Sequence, residues 1–362
     1  MKISLGPIPY LWGPETQLKF YREVAKSPIE DIFLGEVVCS RRSGLHKTVI
    51  SEIVNLLEGS GKKVYLSSLG LVTNDIELEA QREIIKSGYT IEANDFSIVK
   101  ICHESGKDFI IGPYISVYNR PSLEFLKGLG AKRVVLLPEI PFSSLFHMIK
   151  DIAIESEILA FGKPHLAFSW RCYTARMHNL TKEACQQVCS KYPGGCTVST
   201  IDNRPIYSIN GTEIMGAMNI SLLEQLDIIK EAGITHIRIT PQEEGTGDIA
   251  SVFNRVIEGR IEKKEALEIL RKLTGSNFSN GWFFGEAGWR HLREGSSLDI
   301  HRPCQWVSTS EQGEREGEAT IICGGPCGAV APPMPPHPAL APAKPDARFG
   351  FAGGGGDASP YK

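Results

Sequence analysis

The chain has 362 residues, 42% hydrophobic and 22% charged, with a formal net charge of −3. That composition suits a globular protein with a large buried core, one large α/β barrel or two ordinary domains. The near-neutral charge gives no drive toward nucleic acid or anionic membrane, and the absence of an apolar run of about 18 residues excludes a spanning helix.

The opening MKISLGPIPYLWGPE carries one Lys, and Gly and Pro interrupt its apolar stretch, so it does not read as a signal peptide. A first strand over Lys2–Pro7 is expected to leave no room for a preceding domain. A second strand follows at Asp31–Gly35. The helical pattern SEIVNLLE closes at Gly61 and leads into a strand at Lys63–Ser67. ELEAQREIIK closes at Gly88, before a strand at Thr90–Ala93. SIVKICHES closes at Gly106, before a strand at Asp108–Gly112, and its Cys102 reads as a small buried hydrophobe. Gly128-Leu129-Gly130 lacks the third glycine of a dinucleotide fingerprint and reads as a helix–strand turn before Arg133–Leu137. A seventh strand is expected at Glu157–Phe161. LLEQLDIIKE then closes at Gly233, before an eighth strand at Thr235–Thr240. Apolar residues in the helices recur at three and four, and each closing glycine stands where a helix C-terminus takes a left-handed residue.

Strands alternating with helices imply parallel β-α units, and eight of them imply a TIM-like (β/α)8-type barrel over residues 1–291. An open doubly wound sheet is the alternative. Residues of about 165–219 form a long insertion before the last unit, and such a loop is usually functional. Within it, CTVSTIDNRPIYSINGTEI has turn signals at Asp202–Pro205 and Asn210-Gly211 and reads as a hairpin. Residues 292–362, rich in Pro and Gly, are expected to be a disordered tail. Cys304, Cys323 and Cys327 in that tail read as adventitious thiols.

Nine cysteines in a chain of this length do not form a disulfide framework, and a reducing cytoplasm is the expected compartment. Three of them are spaced Cys172-x12-Cys185-x3-Cys189, and Cys39 lies in FLGEVVCSRR. Thr181 is a suitable N-cap for a helix over KEACQQVCSKY, which would set Cys185 and Cys189 at i and i+4 on one face. Cys39 and Cys172 both follow barrel strands, on the face where barrel active sites form. Four converging thiolates suit an iron–sulfur cluster or zinc. The missing C-x2-C knuckles favour iron–sulfur, and Cys196 could replace Cys39 as the fourth ligand.

No G-x-S-x-G, Walker A or H-E-x-x-H motif occurs. His165 could be a ligand, a proton carrier or a plain loop residue. Arg41, Arg42, Arg171 and Arg176 flank the cysteines, where they could offset cluster charge or hold a carboxylate. Glu36, Ser67, Asp95, Asn119, Glu139 and Gln242 are pocket candidates by their position after strands.

The opening residues 1–42, together with SSLGLV, IEAND, YNRPSL, AFSWRCYTAR, EACQQVCSKYP, YSINGTEIM, IRITPQ and NGWFFGEAGW, resemble the UbiV-like branch of the U-32 collagenase-like peptidase superfamily over about residues 1–289. The resemblance implies a 4Fe–4S cluster on Cys39, Cys172, Cys185 and Cys189, which leaves Cys196 a bystander. It implies a subunit for oxygen-independent hydroxylation of a ubiquinone precursor, paired with a UbiU-like sister protein. A UbiT-like lipid-binding protein would assist, with prephenate as oxygen source. Superfamily peptidase, RNA-hydroxylation factor and non-catalytic iron–sulfur scaffold are the alternatives it leaves. The tail after about residue 290 has no counterpart in the family pattern.

Overall fold

The computed structural model describes residues 1–42 and 49–293. Seven parallel strands run in chain order: β1 (Lys2–Leu5), β2 (Asp31–Leu34), β3 (Lys63–Ser67), β4 (Ile91–Ala93), β5 (Phe109–Ile111), β6 (Ala131–Leu136) and β7 (Glu155–Gly162). The eighth parallel strand, over His236–Ile239, pairs with β1 on one side and β7 on the other, so the sheet closes into a barrel. Helices such as Pro14–Val24, Asp75–Lys86 and Thr246–Ile257 pack outside it. The expected strand boundaries lie within two residues of the observed ones. The expected glycines cap their helices, with φ between +63° and +113° at Gly61, Gly88, Gly106, Gly130 and Gly233.

Strand side chains alternate between two cores, as a period of two requires. The outward set, including Ile3, Leu5, Ile32, Leu34, Val134 and Ile237, joins the apolar layer beneath the helices. The inward set is different in kind. Phe33, Tyr65, Ile110 and Val135 form a small separate apolar cluster. Beside it stand Asp31, Glu92, Arg133, Glu157, His236 and Arg238, all buried. Arg238 Nη2 lies 2.6 Å from Glu92 Oε1, and its Nε lies 2.5 Å from Glu157 Oε1. Arg133 Nη1 lies 2.9 Å from Asp31 Oδ2, and His236 Nε2 lies 3.3 Å from the same oxygen. Ser4 and Ser67 donate to Glu157 and Glu92. The barrel is thus filled largely by paired charges, where branched apolar residues more often dominate.

After β7 the chain leaves the barrel. It forms β8 (His165–Phe168), β9 (Cys196–Ser199), β10 (Pro205–Asn210) and β11 (Glu213–Gly216), an antiparallel sheet in the order β8-β11-β10-β9. The expected hairpin is present, and the sheet extends it by β8 and β11. Gly211, at φ +69°, makes the tight turn between β10 and β11. A further strand, β12 (Asn219–Ser221), returns antiparallel to β7, and the eighth barrel strand is then β13. Among the described residues, no helix is long and apolar enough to cross a membrane. Residues 294–362 of the expected tail, with Cys304, Cys323 and Cys327, lie outside the described residues.

The helix expected after Thr181 does not form. Thr181 Oγ1 does accept the Ala184 N–H at 3.2 Å, as a cap would. Gln186 and Gln187 then take φ of +50° and +52°, and only a 3-10 turn over Val188–Lys191 follows. Two successive left-handed residues end any run of helical hydrogen bonds. Each costs about 1–2 kcal/mol, so surrounding contacts must hold them. One such contact is Gln187 Nε2 donating to Arg41 O at 2.8 Å.

Candidate metal centre and barrel mouth

Cys39, Cys172, Cys185 and Cys189 line one pocket, together with Arg41, Arg42, Lys182, Gln187, Val188 and Gly211. Four local devices bring them there. Glu36 Oε1 accepts the N–H groups of Val38 and Cys39, both at 2.9 Å, which bends the chain leaving β2. Cys172 caps a short helix over Tyr173–Met177, its sulfur accepting the Ala175 N–H at 3.4 Å. The paired left-handed glutamines turn Cys185 and Cys189 toward the same space in place of a helix face. Thr212 Oγ1 donates to Val38 O at 2.8 Å and holds the β10–β11 turn against the Cys39 loop.

Arg42 is the electrostatic centre of this site. It is 1% exposed, and its Nη1 donates to Pro9 O at 2.8 Å and its Nη2 to Asn210 Oδ1 at 3.0 Å. Among the described residues its Nε is buried without a partner. Burial opposes its charge, but Glu36 and the Cys189 and Cys39 sulfurs outweigh it and raise its pKa; a hydrogen bond to Cys189 adds to this. Burial pushes the Cys39 and Cys172 thiols up, against the Arg41 N–H on Cys39 and the Ala175 N–H on Cys172. The Cys189 and Cys185 sulfurs push Cys172 up further, so the three feel one another's charge.

Among the described residues the lining offers four soft sulfurs, no carboxylate and three cations, which suits a thiolate-bound centre and would offset its negative charge. Among the described residues no three His, Cys, Asp or Glu side chains close on one point as ligands of a single ion do. The thiols stand around a space.

Gly211 approaches this site closely. A Cβ there would lie 2.8 Å from Arg42 Nη2, an atom pinned by its hydrogen bond to Asn210, and the positive φ disfavours any side chain. Gly211→Ala is expected to cost about 1–2 kcal/mol, read as a lower urea midpoint.

The other sequence candidates divide. Arg41 and Arg42 reach the pocket, whereas Arg171 and Arg176 are exposed and do not line it. Cys196 lies on β9 outside the lining, and Cys102 is buried in a helix, its thiol pushed up to about 11 by burial. Asp95 and Asn119 are helix N-caps. Ser67 joins the charged barrel interior, Gln242 bonds its own loop, and Glu139 accepts from Tyr118. Lys182, Gln187 and Gly211 also line the pocket; none is a site candidate by residue type, although Gln187 lies in EACQQVCSKYP and Gly211 in YSINGTEIM. The Asn210-Gly211 turn signal also hints at the last of them.

His165 lies elsewhere, in the mouth of the barrel. It lines a second cavity of about 50 Å³ with Tyr114, Lys163, Glu213 and Arg238.

The sequence model for peptidase family U32 matches residues 17–293. The chain belongs to peptidase family U32. Two solved structures are similar to it. One is the U32 peptidase Mk0906, 11% identical, with 67% of this chain and 93% of that one covered and a TM-score of 0.37. The other is an uncharacterized B. cereus protein, 12% identical, with 69% and 65% covered and a TM-score of 0.29. Within this U32 member, the family match takes in Cys39 and the whole cysteine-bearing insertion.

Proposed function

We propose that this U32 family member is a UbiV-like iron–sulfur subunit for oxygen-independent ubiquinone biosynthesis. Cys39, Cys172, Cys185 and Cys189 would hold a 4Fe–4S cluster. The observation that carries the reading is the convergence of four cysteines from three separate chain segments on one pocket with Arg42 buried beside it. Such a cluster would supply electron transfer or oxygen-atom activation to the hydroxylation of a ubiquinone precursor. The residues of this chain would fix its position, balance its charge through Arg42, Arg41 and Lys182, and shield it from water.

The proposed setting is the cytoplasm, where thiols stay reduced. The proposed partners are a UbiU-like sister protein and a UbiT-like lipid-binding protein, with prephenate as oxygen source. Exposed apolar side chains on the insertion support a protein partner: Trp170, Tyr173 and Met177 on the cysteine-bearing segment, and Val198 on β9 opposite Tyr207 on β10.

Deleting the gene is expected to abolish ubiquinone made without oxygen and to leave aerobic ubiquinone intact, as read by quinone profiling. Normal anaerobic ubiquinone would overturn the reading. The family name raises hydrolysis as a second reading. Casein digestion by the cluster-free chain would favour it, and none is expected.

A further inference from the structure

A second chemical constellation stands in the barrel mouth, apart from the thiols. His165 Nδ1 lies 3.0 Å from Glu213 Oε1. Glu213 is 0% exposed, and its other oxygen accepts from Asn210 Nδ2 at 3.0 Å. A buried carboxylate on Nδ1 places the proton there and leaves the lone pair on Nε2. Among the described residues no hydrogen bond takes up Nε2. The Tyr114 ring meets the His165 ring edge-on, with centroids 4.4 Å apart, and its hydroxyl also bonds to no described residue. Burial, with the negative charges of Glu213 and Glu92 nearby, raises its pKa well above the usual phenol value, so it remains a donor.

These groups face one cavity. Its volume of about 50 Å³ has room for roughly four water-sized groups. Lys163 and Arg238 bring positive charge to its lining. Arg238 is already matched by Glu92 and Glu157, which leaves Lys163 as the less committed cation. Lys163 is held by Gly194 O at 2.9 Å and Ser208 Oγ at 3.3 Å, and keeps a third N–H. A free acceptor, a free donor and a cation around one small cavity are what a compact oxygen-bearing anion requires.

We propose that the barrel mouth binds a small hydroxy or oxo carboxylate and that His165 is its proton-transfer residue. Lys163 faces the carboxylate, and Tyr114 donates to the ligand's second oxygen. With a hydroxy ligand the proton of its O–H passes to His165 Nε2, and with an oxo ligand such as pyruvate the site binds without this transfer. The imidazolium so formed is offset by Glu213, which already pairs with its Nδ1. The electron pair stays on the ligand oxygen, held by Tyr114 and Lys163. The site is also wired to the thiol pocket. Asn210, 3% exposed, bonds Glu213 on one side and Arg42 on the other, and Arg42 lines the thiol pocket with Cys189. The ligand would therefore sit one buried hydrogen-bonded chain away from the proposed metal centre. The site itself stands on its own groups, whether or not a cluster is present.

The test uses the full chain with 15N-labelled histidine and pyruvate as probe. Pyruvate is expected to shift the His165 side-chain nitrogens saturably, the signals being assigned by their loss in His165→Gln. Tyr114→Phe, nearly isosteric, is expected to weaken pyruvate binding at least about fivefold, the worth of one hydrogen bond. Iron content after reconstitution should match the wild type. Wild-type His165 signals indifferent to pyruvate, or a Tyr114→Phe chain that binds it unchanged, would overturn the proposal. Should His165→Gln fail to fold, the wild-type titration and Tyr114→Phe still decide. A wild-type chain that binds pyruvate but takes up no iron would sink the metal reading and leave this one standing.

Discussion

Replacing Cys185 with alanine is expected to take reconstituted iron from about four per chain to near zero and to remove the visible charge-transfer absorbance, because a cubane ligated by four thiolates does not survive on three here. The reason lies in the site. Cys185 is buried, and its partners come from the loop after β2, the cap of the helix over Tyr173–Met177 and the 3-10 turn at Val188–Lys191. No carboxylate or histidine lines the pocket among the described residues, so no side chain there can replace the lost sulfur. Cys196→Ala and Cys102→Ala remove thiols that do not line the pocket, and both should load as the wild type does. Iron assay and absorbance on all three variants, with circular dichroism to show that each is folded, check the expectation. Full iron in Cys185→Ala would remove that residue from the ligand set.

Arg238→Met is expected to destabilise the fold by about 3–5 kcal/mol at pH 7, because it leaves Glu92 buried without its cation and Glu157 with Arg133 alone. Glu157 is the more telling partner. Burial alone would raise its pKa, but Arg238 and then Arg133 outweigh burial and hold it below the ordinary carboxylate value. Asp31 is likewise held well below, with His236 and Arg133 outweighing burial. A depressed folded pKa means that the charged form is favoured by folding. Its stabilisation is fully present above the unfolded pKa of about 4 and is lost as pH falls through the folded values. The wild type should therefore lose stability only below about pH 4. In Arg238→Met Glu157 loses the larger of its two cationic partners, its pKa rises, and protonation relieves the strain. The deficit against the wild type should be largest near neutrality and should narrow toward about pH 4, as read by urea midpoints across that range. A deficit that stays constant with pH would mean that packing, and not charge, sets the cost.

Much of the barrel was legible because its signals are local. Glycines at helix ends and runs such as DIFL and RVVLL announce their own conformations from a few neighbours. The helix expected over 182–192 fails for the same reason. Its composition is helical, but contacts from distant segments, Gln187 to Arg41 among them, support two left-handed residues that local propensity disfavours. The charged barrel interior went unread too. Asp31, Glu92, Arg133, Glu157 and Arg238 sit at alternate positions on five strands, and single charges in separate strands give no sign that they will meet.

The sequence by itself determined the alternation of strands and helices, the closure glycines, the insertion after the seventh strand and the four cysteines worth following. Each of these rests on residue type and spacing along the chain. Only the tertiary structure decided that Cys39 joins the three distant cysteines, that Cys196 does not, that Arg42 is buried among them and that His165 pairs with Glu213 across the insertion. Those facts depend on barrel closure and on the β10–β11 turn docking over the Cys39 loop. Closure brings together residues more than 100 positions apart, and no local preference of the backbone encodes which of them will touch.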